Sequence, residues 1–443
     1  MGADQARSLS TAISRLIDTD RWRLELWDGR VVEPDHAPLF TLTLRRPEAL
    51  STLMAGAPER AFGRAYVSGD IDIEPLEPFM EAVGRAPLRR LSAGWPRFAA
   101  AAMILGARPS VGTRSDAEAH LRGRRHSRVR DAAAIHHHYD LPPEFYALWL
   151  DSTLTYSCAY FERPDVDLDT AQRGKLDLVC HKLRLQPGER LLDIGCGWGS
   201  LVLHAVRNYG VHALGITLSP RQVAFAQQRA AELGLGDRAT FRLADYRDPP
   251  VGQHDAVASV GMVEHVGRRL LDSYAGAIHR ALLPGGRALV HGITCRPAAR
   301  NDRAGFINTF VFPDGELEDV SRVVRALDKS QLEVRDVENL REHYVLTLRH
   351  WVRRLESRWD EAVRIAGLRR ARVWRLYMSG SIVAFRSASI AVHQTLAVRP
   401  AAGGRSGLPL TRADWYQART ATDGTQPADV ELQGVPQRVL TRP

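Results

Sequence analysis

The stretch Leu191-Leu192-Asp193-Ile194-Gly195-Cys196-Gly197-Trp198-Gly199-Ser200 decides how this chain is read. It is a short apolar strand over residues 190–194, with an acid near its end, and a glycine-rich turn into a helix over residues 200–208. Glycines let the backbone approach a ligand closely, because no Cβ intervenes. The helix N-terminus just beyond offers free N–H groups and a partial positive charge. Dinucleotide-binding turns are spaced G-x-G-x-x-G, with an acid about twenty residues further on. Here the spacing is G-x-G-x-G, the acid precedes the first glycine, and the next strand ends in Thr217-Leu218-Ser219. That favours S-adenosylmethionine over NAD. Taken alone, the glycines would equally shape a tight turn.

Downstream, strand and helix patterns alternate. Strands are expected at 211–216, 239–243, 256–260 and 287–293, helices at 221–233 and 270–282. An amphipathic helix over 169–185 leads in. The pattern predicts an α/β fold, a doubly wound and mostly parallel sheet with helices on both faces. Ligands in such sheets bind beyond the carboxyl ends of the strands. Asp193, Thr217, Asp245 and residues 261–267 and 291–294 would gather there.

The 443 residues leave room for a second unit. Residues 1–85 read as a small α+β module, with helices at 8–17, 50–55 and 61–66 and strands at 22–32 and 40–45. It holds no catalytic constellation, and its expected role is lipid-presenting or dimerising, a homodimer being one reading. Residues 86–131 form a basic connector. Arg89, Arg90, Arg97, Arg108, Arg114, Arg122, Arg124, Arg125, Arg128 and Arg130 surround an apolar run at 98–107. The run is too short to span a bilayer. Either this is an interfacial segment drawn to an anionic membrane surface or it is a solvated linker. The net charge of +9 calls for an acidic partner. Nucleic acid is disfavoured, since no stacking aromatics interleave with the arginines.

Residues 132–398 carry the chemistry. Adjacent His136, His137 and His138 point too far apart on a helix to chelate one ion, so a packing or capping role is expected and no metal site. Residues 306–313 read as an apolar pocket wall or an ordinary buried strand. Helices follow at 317–325, 346–366 and 371–386, and the tail at 399–443 is expected to be flexible. The four cysteines show no disulfide or metal spacing, and the N-terminus has no signal-peptide core. The expected setting is cytoplasmic, soluble or peripheral on the inner face of the membrane.

Several motifs then agree. His138-Tyr139-Asp140, Tyr156-Ser157-Cys158, Asp193 to Gly199, Gly215-Ile216-Thr217-Leu218-Ser219 with Gln222, Gly261-Met262-Val263-Glu264-His265-Val266-Gly267, His291-Gly292-Ile293, and Glu338-Asn339-Leu340 with His343-Tyr344 and Trp351 stand in order. With them the chain resembles the cyclopropane-fatty-acyl-phospholipid synthase family, which includes the mycolic acid cyclopropane synthases. The resemblance implies a class I methyltransferase fold, S-adenosylmethionine as cofactor and an unsaturated phospholipid acyl chain as substrate. By position, Tyr156 and Ser157 would touch the cofactor from a lid. Asp193, Gly195, Gly197, Trp198 and Gly199 would belong to its methionine and ribose side. Thr217, Leu218 and Gln222 would meet the ribose and adenine, with Asp245 and Tyr246 at the adenine. The resemblance also implies a bicarbonate base, held by Glu264, His291, Tyr344 and the backbones of Cys158 and Ile293.

An alkene is a weak nucleophile, so the sulfonium methyl must be aligned with it in a dry site. Transfer leaves a carbocation, which aromatic faces stabilise. Tyr344, Phe306 and Phe310 are the expected faces. A base then takes a proton from the new methyl group and the ring closes. Many family members carry a cysteine where this chain has Ser381, so no thiol nucleophile is expected there. A hydride shift would give a methylene- or methyl-branched chain instead. A small-molecule methyltransferase or a non-catalytic lipid-binding protein are the remaining alternatives.

Overall fold

The computed structural model describes residues 3–17, 19–85, 88–108, 115–139, 141–248, 253–296 and 305–416. Arg114, Asp140 and the tail beyond residue 416 lie outside them. The N-terminal module is a four-stranded sheet, β1 (Trp22–Glu25), β2 (Val31–Val32), β3 (Phe40–Leu44) and β4 (Ile71–Glu74), in the order β2-β1-β3-β4. Helices α1 (Ala3–Ser14), α2 (Glu48–Leu53), α3 (Pro58–Ser68), α4 (Leu76–Arg85) and α5 (Leu88–Ile104) accompany it. The expected strand over 22–32 is broken by a turn around Gly29, whose φ is +83°. β4 and α4 were not foreseen.

The connector is more structured than its composition implied. Its apolar run lies on α5 and the turn after it, where Phe98, Ala101, Ala102 and Leu105 are buried in the core shared with α1. Only Met103 and Ile104 of that stretch are strongly exposed among the large apolar side chains described. Arg125 and Arg130 reach Asp314, and Arg128 reaches Asp248 at 2.6 Å. These arginines are thus used within the chain.

The second half is the anticipated sheet. β5 (Arg190–Ile194), β6 (His212–Thr217), β7 (Ala239–Leu243), β8 (His254–Val260), β9 (Leu282–Cys295), β10 (Glu333–Asn339) and β11 (Ile390–Val398) stand in the order β10-β11-β9-β8-β5-β6-β7. The five strands β9-β8-β5-β6-β7 are parallel, and β11 runs antiparallel between β9 and β10. β10 and β11 escaped the sequence reading. β10 is an edge strand with only Val334 and Val337 apolar and an irregularity between Val334 and Asp336, and β11 is a strand the chain returns to after a long helical excursion.

Helices α8 (Leu168–Lys182), α9 (Ser200–Tyr209), α10 (Pro220–Glu232), α11 (Val263–Val266), α12 (Leu271–Ala281) and α13 (Val320–Lys329) cover the two faces. Asp167 caps α8, Ser219 caps α10 and Asp319 caps α13, each side chain accepting an N–H of the first turn. Above the carboxyl edge lie α6 (Arg128–Tyr139), α7 (Pro143–Ala147), α14 (Arg341–Ser357), α15 (Trp359–Ala366) and α16 (Leu368–Arg386). The single helix expected over 346–366 is two, joined at Arg358 with φ −120°. Residues 307–311 form one turn of π-helix, neither strand nor plain loop. Of the expected tail, residues 399–416 are described, and Trp415 among them is buried against α8.

The two halves share one core. Arg372 of α16 donates to the carbonyls of Tyr66 and Ile71, both at 2.6 Å, and lies over the Tyr66 ring. Arg375 pairs with Glu74 and Glu356, each at 2.7 Å. These buried guanidinium groups fix the module to the helices that roof the sheet.

Candidate active site

β5 ends at the carboxyl edge of the sheet, and the turn after it opens a cavity. The cavity encloses about 1240 Å³, its open mouth included. Of the residues expected at the cofactor, Tyr156, Ser157, Asp193, Gly195, Gly197, Trp198, Thr217, Leu218, Gln222 and Tyr246 line it. Gly195 has φ +82°, and a Cβ there would sit 2.4 Å from Met262 Cγ. Two expected residues do not line it. Gly199 begins α9 with φ +89° and packs its bare Cα against Ala226 and Phe241. Asp245 turns its carboxylate to Arg247, which also reaches Asp131 on α6 at 3.0 Å.

The cavity wall holds polar atoms that lack protein partners. Asp193 Oδ1, Trp198 Nε1, Gln222 Nε2 and the Tyr246 hydroxyl are all buried and unpaired. Gln222 Oε1 already accepts from the Thr217 hydroxyl at 2.7 Å, which leaves its amide N–H to face the cavity. Burial pushes the Asp193 carboxyl up to about 7, against the pull of Lys175. A buried polar group without a partner is costly, so such a set marks a place for a polar ligand.

The lid over the cavity is the segment around 155–157, and α8 holds it down. Gln172 Nε2 donates to the carbonyls of Thr155 and Ser157, at 3.2 and 2.9 Å. Lys175 Nζ donates to Ser157 Oγ at 2.9 Å and lines the cavity. Burial lowers the Lys175 ammonium to about 8. Neither Gln172 nor Lys175 was picked out from the sequence. The available signal was a Gln-x-x-Lys pair on the apolar side of an amphipathic helix. Tyr156 sits in an aromatic enclosure with His138, Trp149, Trp351 and Trp374 at centroid distances of 5.3 to 5.7 Å. His137 and His138 meet the carbonyls of Phe310 and Val311 at 3.2 and 3.0 Å, a capping and packing role as expected.

The five residues expected to act in catalysis lie outside the residues lining that cavity. β8 and β9 pair Val260 with His291, so α11 after β8 brings Glu264 beside β9. Glu264 Oε1 accepts the Ile293 N–H at 2.7 Å. Oε2 is sealed from solvent without a partner, although part of the residue's surface is reachable. Burial raises this carboxyl to about 7. His291 takes a hydrogen bond from Gln394 at Nδ1, 3.2 Å away, and its Nε2 is buried and unpaired. Burial lowers His291 to about 3, so the ring is neutral. Tyr344 lies within electrostatic reach of both Cys158 and Glu264, and burial holds its hydroxyl well above its ordinary range. Its ring packs on Phe385 at 4.5 Å and Trp351 at 6.0 Å. Phe306 and Phe310 stack on each other at 5.0 Å, and a Cβ on Gly63 of the N-terminal module would stand 2.5 Å from Phe306. Ser381 lies beside the Tyr377 hydroxyl. Among the described residues no His, Cys, Asp and Glu cluster could hold a metal ion.

Residues 126–395 match the profile of the mycolic acid cyclopropane synthetase family. This chain belongs to that family. A probable fatty acid methyltransferase of Pseudomonas putida is 40% identical over 402 residues, covering 89% of this chain and 96% of the relative. The cyclopropane-fatty-acyl-phospholipid synthase of Escherichia coli is 36% identical over 275 residues, 62% of this chain and 69% of the relative. The cyclopropane synthase MmaA2 of Mycobacterium tuberculosis superposes with TM-score 0.57 at 34% identity, covering 61% of this chain and 98% of that structure. The mycolic acid cyclopropane synthase CmaA1, solved with S-adenosylhomocysteine and a cationic detergent, gives 0.56 at 33% identity, over 60% and 97%. The sheet is therefore that of the class I S-adenosylmethionine-dependent methyltransferases, as the cyclopropane synthetase resemblance implied. The unpaired atoms of the cavity fit that cofactor. Asp193 Oδ1 offers an acceptor to an ammonium, and Trp198, Gln222 and Tyr246 offer donors to its oxygens and ring nitrogens. The sealed Glu264 Oε2 and His291 Nε2 likewise fit a small hydrogen-bonding anion.

Proposed function

We propose that this S-adenosylmethionine-dependent methyltransferase alkylates the double bond of an unsaturated fatty acyl chain of a phospholipid and closes a cyclopropane ring. The cofactor supplies an electrophilic sulfonium methyl when bound. Asp193, Trp198, Gln222 and Tyr246 hold and orient it, and the lid carrying Tyr156 and Ser157 excludes water. Tyr344, backed by Trp351 and Phe385, faces the positive charge that develops on the alkene carbon. Bicarbonate is the proposed base, bound by Glu264, His291, Tyr344 and the backbones of Cys158 and Ile293. A carboxylate beside an anion would repel it, but a carboxyl raised to about 7 can keep a proton and donate it. The observation that carries this reading is the pair of sealed, unpartnered atoms Glu264 Oε2 and His291 Nε2.

A second reading has one support. Relatives matching nearly the whole chain, from P. putida and M. tuberculosis, are described as probable fatty acid methyltransferases. A hydride shift at the same cation, followed by proton loss, gives a methylene branch. Mass spectrometry of phospholipids from a host expressing the protein, with ring-versus-branch fragmentation, separates the two. A gain of 14 mass units per chain with loss of the alkene signal is the expected ring signature (about one CH₂). A methylene branch shows the same gain but keeps one unsaturation, so chains of unchanged mass overturn both readings.

For its partner we propose an anionic membrane surface on the cytoplasmic side. The net charge of +9 and the exposed Met103 and Ile104 support it, and no described helix is long and apolar enough to cross a bilayer. Vesicle binding that weakens as salt rises is expected; salt-insensitive binding argues against it. Dimerisation through the N-terminal module remains part of the proposal and is tested by light scattering.

A further inference from the structure

Four side chains stand in one line behind the proposed anion site. Strand register pairs Glu338 with Gln394 across β10 and β11, and Gln394 with His291 across β11 and β9. The row presents Glu338, Gln394 and His291 to α8, which lays Lys182 against it. Lys182 and Gln394 have no exposed surface at all. Lys182 Nζ donates to Gln394 Oε1 at 2.8 Å and pairs with Glu338, with Asp336 at 4.0 Å. The outer end is roofed by the C-terminal segment. The Trp415 ring lies 5.4 Å from Lys182 Nζ, the Trp415 carbonyl meets His181 at 3.1 Å, and Arg412 pairs with Asp336.

The donor logic of this row is forced. An ammonium has only donors to offer. Gln394 must therefore turn its oxygen to Lys182 and its NH₂ to His291. His291 Nδ1 can then only accept, so the ring hydrogen must reside on Nε2. That atom is buried, has no protein partner, and belongs to the proposed anion site.

We propose that Lys182 and Gln394 are positioning residues that lock His291 in its Nε2–H tautomer, so that it presents a donor to an anion and cannot itself accept the proton. The proposal deepens the reading of Glu264 and His291 as an anion site and rests on it for its catalytic consequence, though not for the tautomer. The neutral state of the buried ring, flanked by Lys175 and Lys182, agrees with it. Within the reaction, such a histidine holds the base and does not act as the base.

The test is the His291 ring ¹⁵N spectrum of the full-length protein, assigned by its loss in His291→Asn. The wild type is expected to show a protonated Nε2 and a bare Nδ1 at neutral pH. Gln394→Glu keeps the shape and still accepts from Lys182, but it cannot donate, so Nδ1 should gain a hydrogen. In that variant kcat should fall about 10- to 100-fold with KM for S-adenosylmethionine unchanged, the size typical of a lost orienting partner. A wild-type ring protonated at Nδ1, or a spectrum unmoved by Gln394→Glu, overturns the proposal without reference to activity. A tautomer that moves while kcat does not upholds the lock and removes His291 from the proposed base site.

Discussion

At Glu264 the chemistry and the stability of this protein meet. Its carboxyl is tied to one backbone N–H and otherwise sealed in a dry place. Glu264→Gln keeps the size and the acceptor oxygen but loses the ionisable proton. Product formation is expected to fall below detection, while calorimetric affinity for S-adenosylmethionine stays within about three-fold, since the cofactor cavity is lined by other residues. Unchanged turnover would dismiss the anion-site reading. Glu264 and Asp193 also make a prediction about pH. Both bind their protons more tightly in the folded chain, being raised from ordinary carboxyl values to about 7. Their contribution to stability is complete below about pH 4 and is lost as pH rises through 7. Lys175, lowered to about 8, acts oppositely and only above that pH. Buried His291 and His265, lowered to about 3 and 4, oppose this by raising stability as pH climbs toward 6.5, so the test is the difference between variants. In urea unfolding of the ligand-free protein between pH 5 and 7.5, the wild type should lose up to about 3 kcal/mol more than Glu264→Gln. An identical pH slope in that variant would contradict the buried, proton-holding carboxyl.

Elements give the next scale, and α8 is the instructive one. Its sequence announces an amphipathic helix, yet two of its inward residues, Gln172 and Lys175, are polar and tie down the lid. Lys175→Met keeps the helix and the apolar stem but cuts the bond to Ser157. Cofactor affinity should drop by about 10- to 100-fold, the loss of one charge-assisted hydrogen bond worth about 1.5–3 kcal/mol. Equal affinity by calorimetry would show that the lid closes without α8. The glycine turn makes the companion case. Gly195→Ala must adopt a left-handed backbone and displace Met262. Strain of about 1–2 kcal/mol and weaker cofactor binding are expected together; a lower melting temperature with intact binding would limit the glycine to folding.

At the scale of the whole molecule, the N-terminal module and the helices over the sheet share one core, so a single cooperative unfolding is expected. Arg372 and Arg375 of α16 are buried against the N-terminal module, Arg372 donating to the Tyr66 and Ile71 carbonyls. Arg372→Ala would remove both bonds and the contact over the Tyr66 ring and is expected to cost about 2–4 kcal/mol, read as a lower urea midpoint in a single transition. Two separated transitions in the parent protein would mean that the module folds by itself. Gly63 against Phe306 is a further contact between the module and the second half of the chain.

Much was legible in the linear order. The strands at 190–194 and 239–243 and the intervening helices announce themselves because a parallel sheet buried on both faces demands short apolar runs, and glycine-rich turns punctuate them. The Asp193 turn follows from its own glycine spacing at a strand end, whereas Gln222 and Tyr246 came only with the family resemblance. What spacing could not show is which distant segments share a face. Lys182, Gln394 and His291 come from three elements more than a hundred residues apart at the extremes, and only the register of β9, β10 and β11 sets them in a row. The retreat of Gly199 and Asp245 from the cavity, and the burial of α5 and Trp415, are likewise decided by packing partners elsewhere in the chain. Local periodicity reports what a residue's own backbone prefers, whereas a site of unpaired polar atoms exists only where the folded chain has removed every alternative partner, water included.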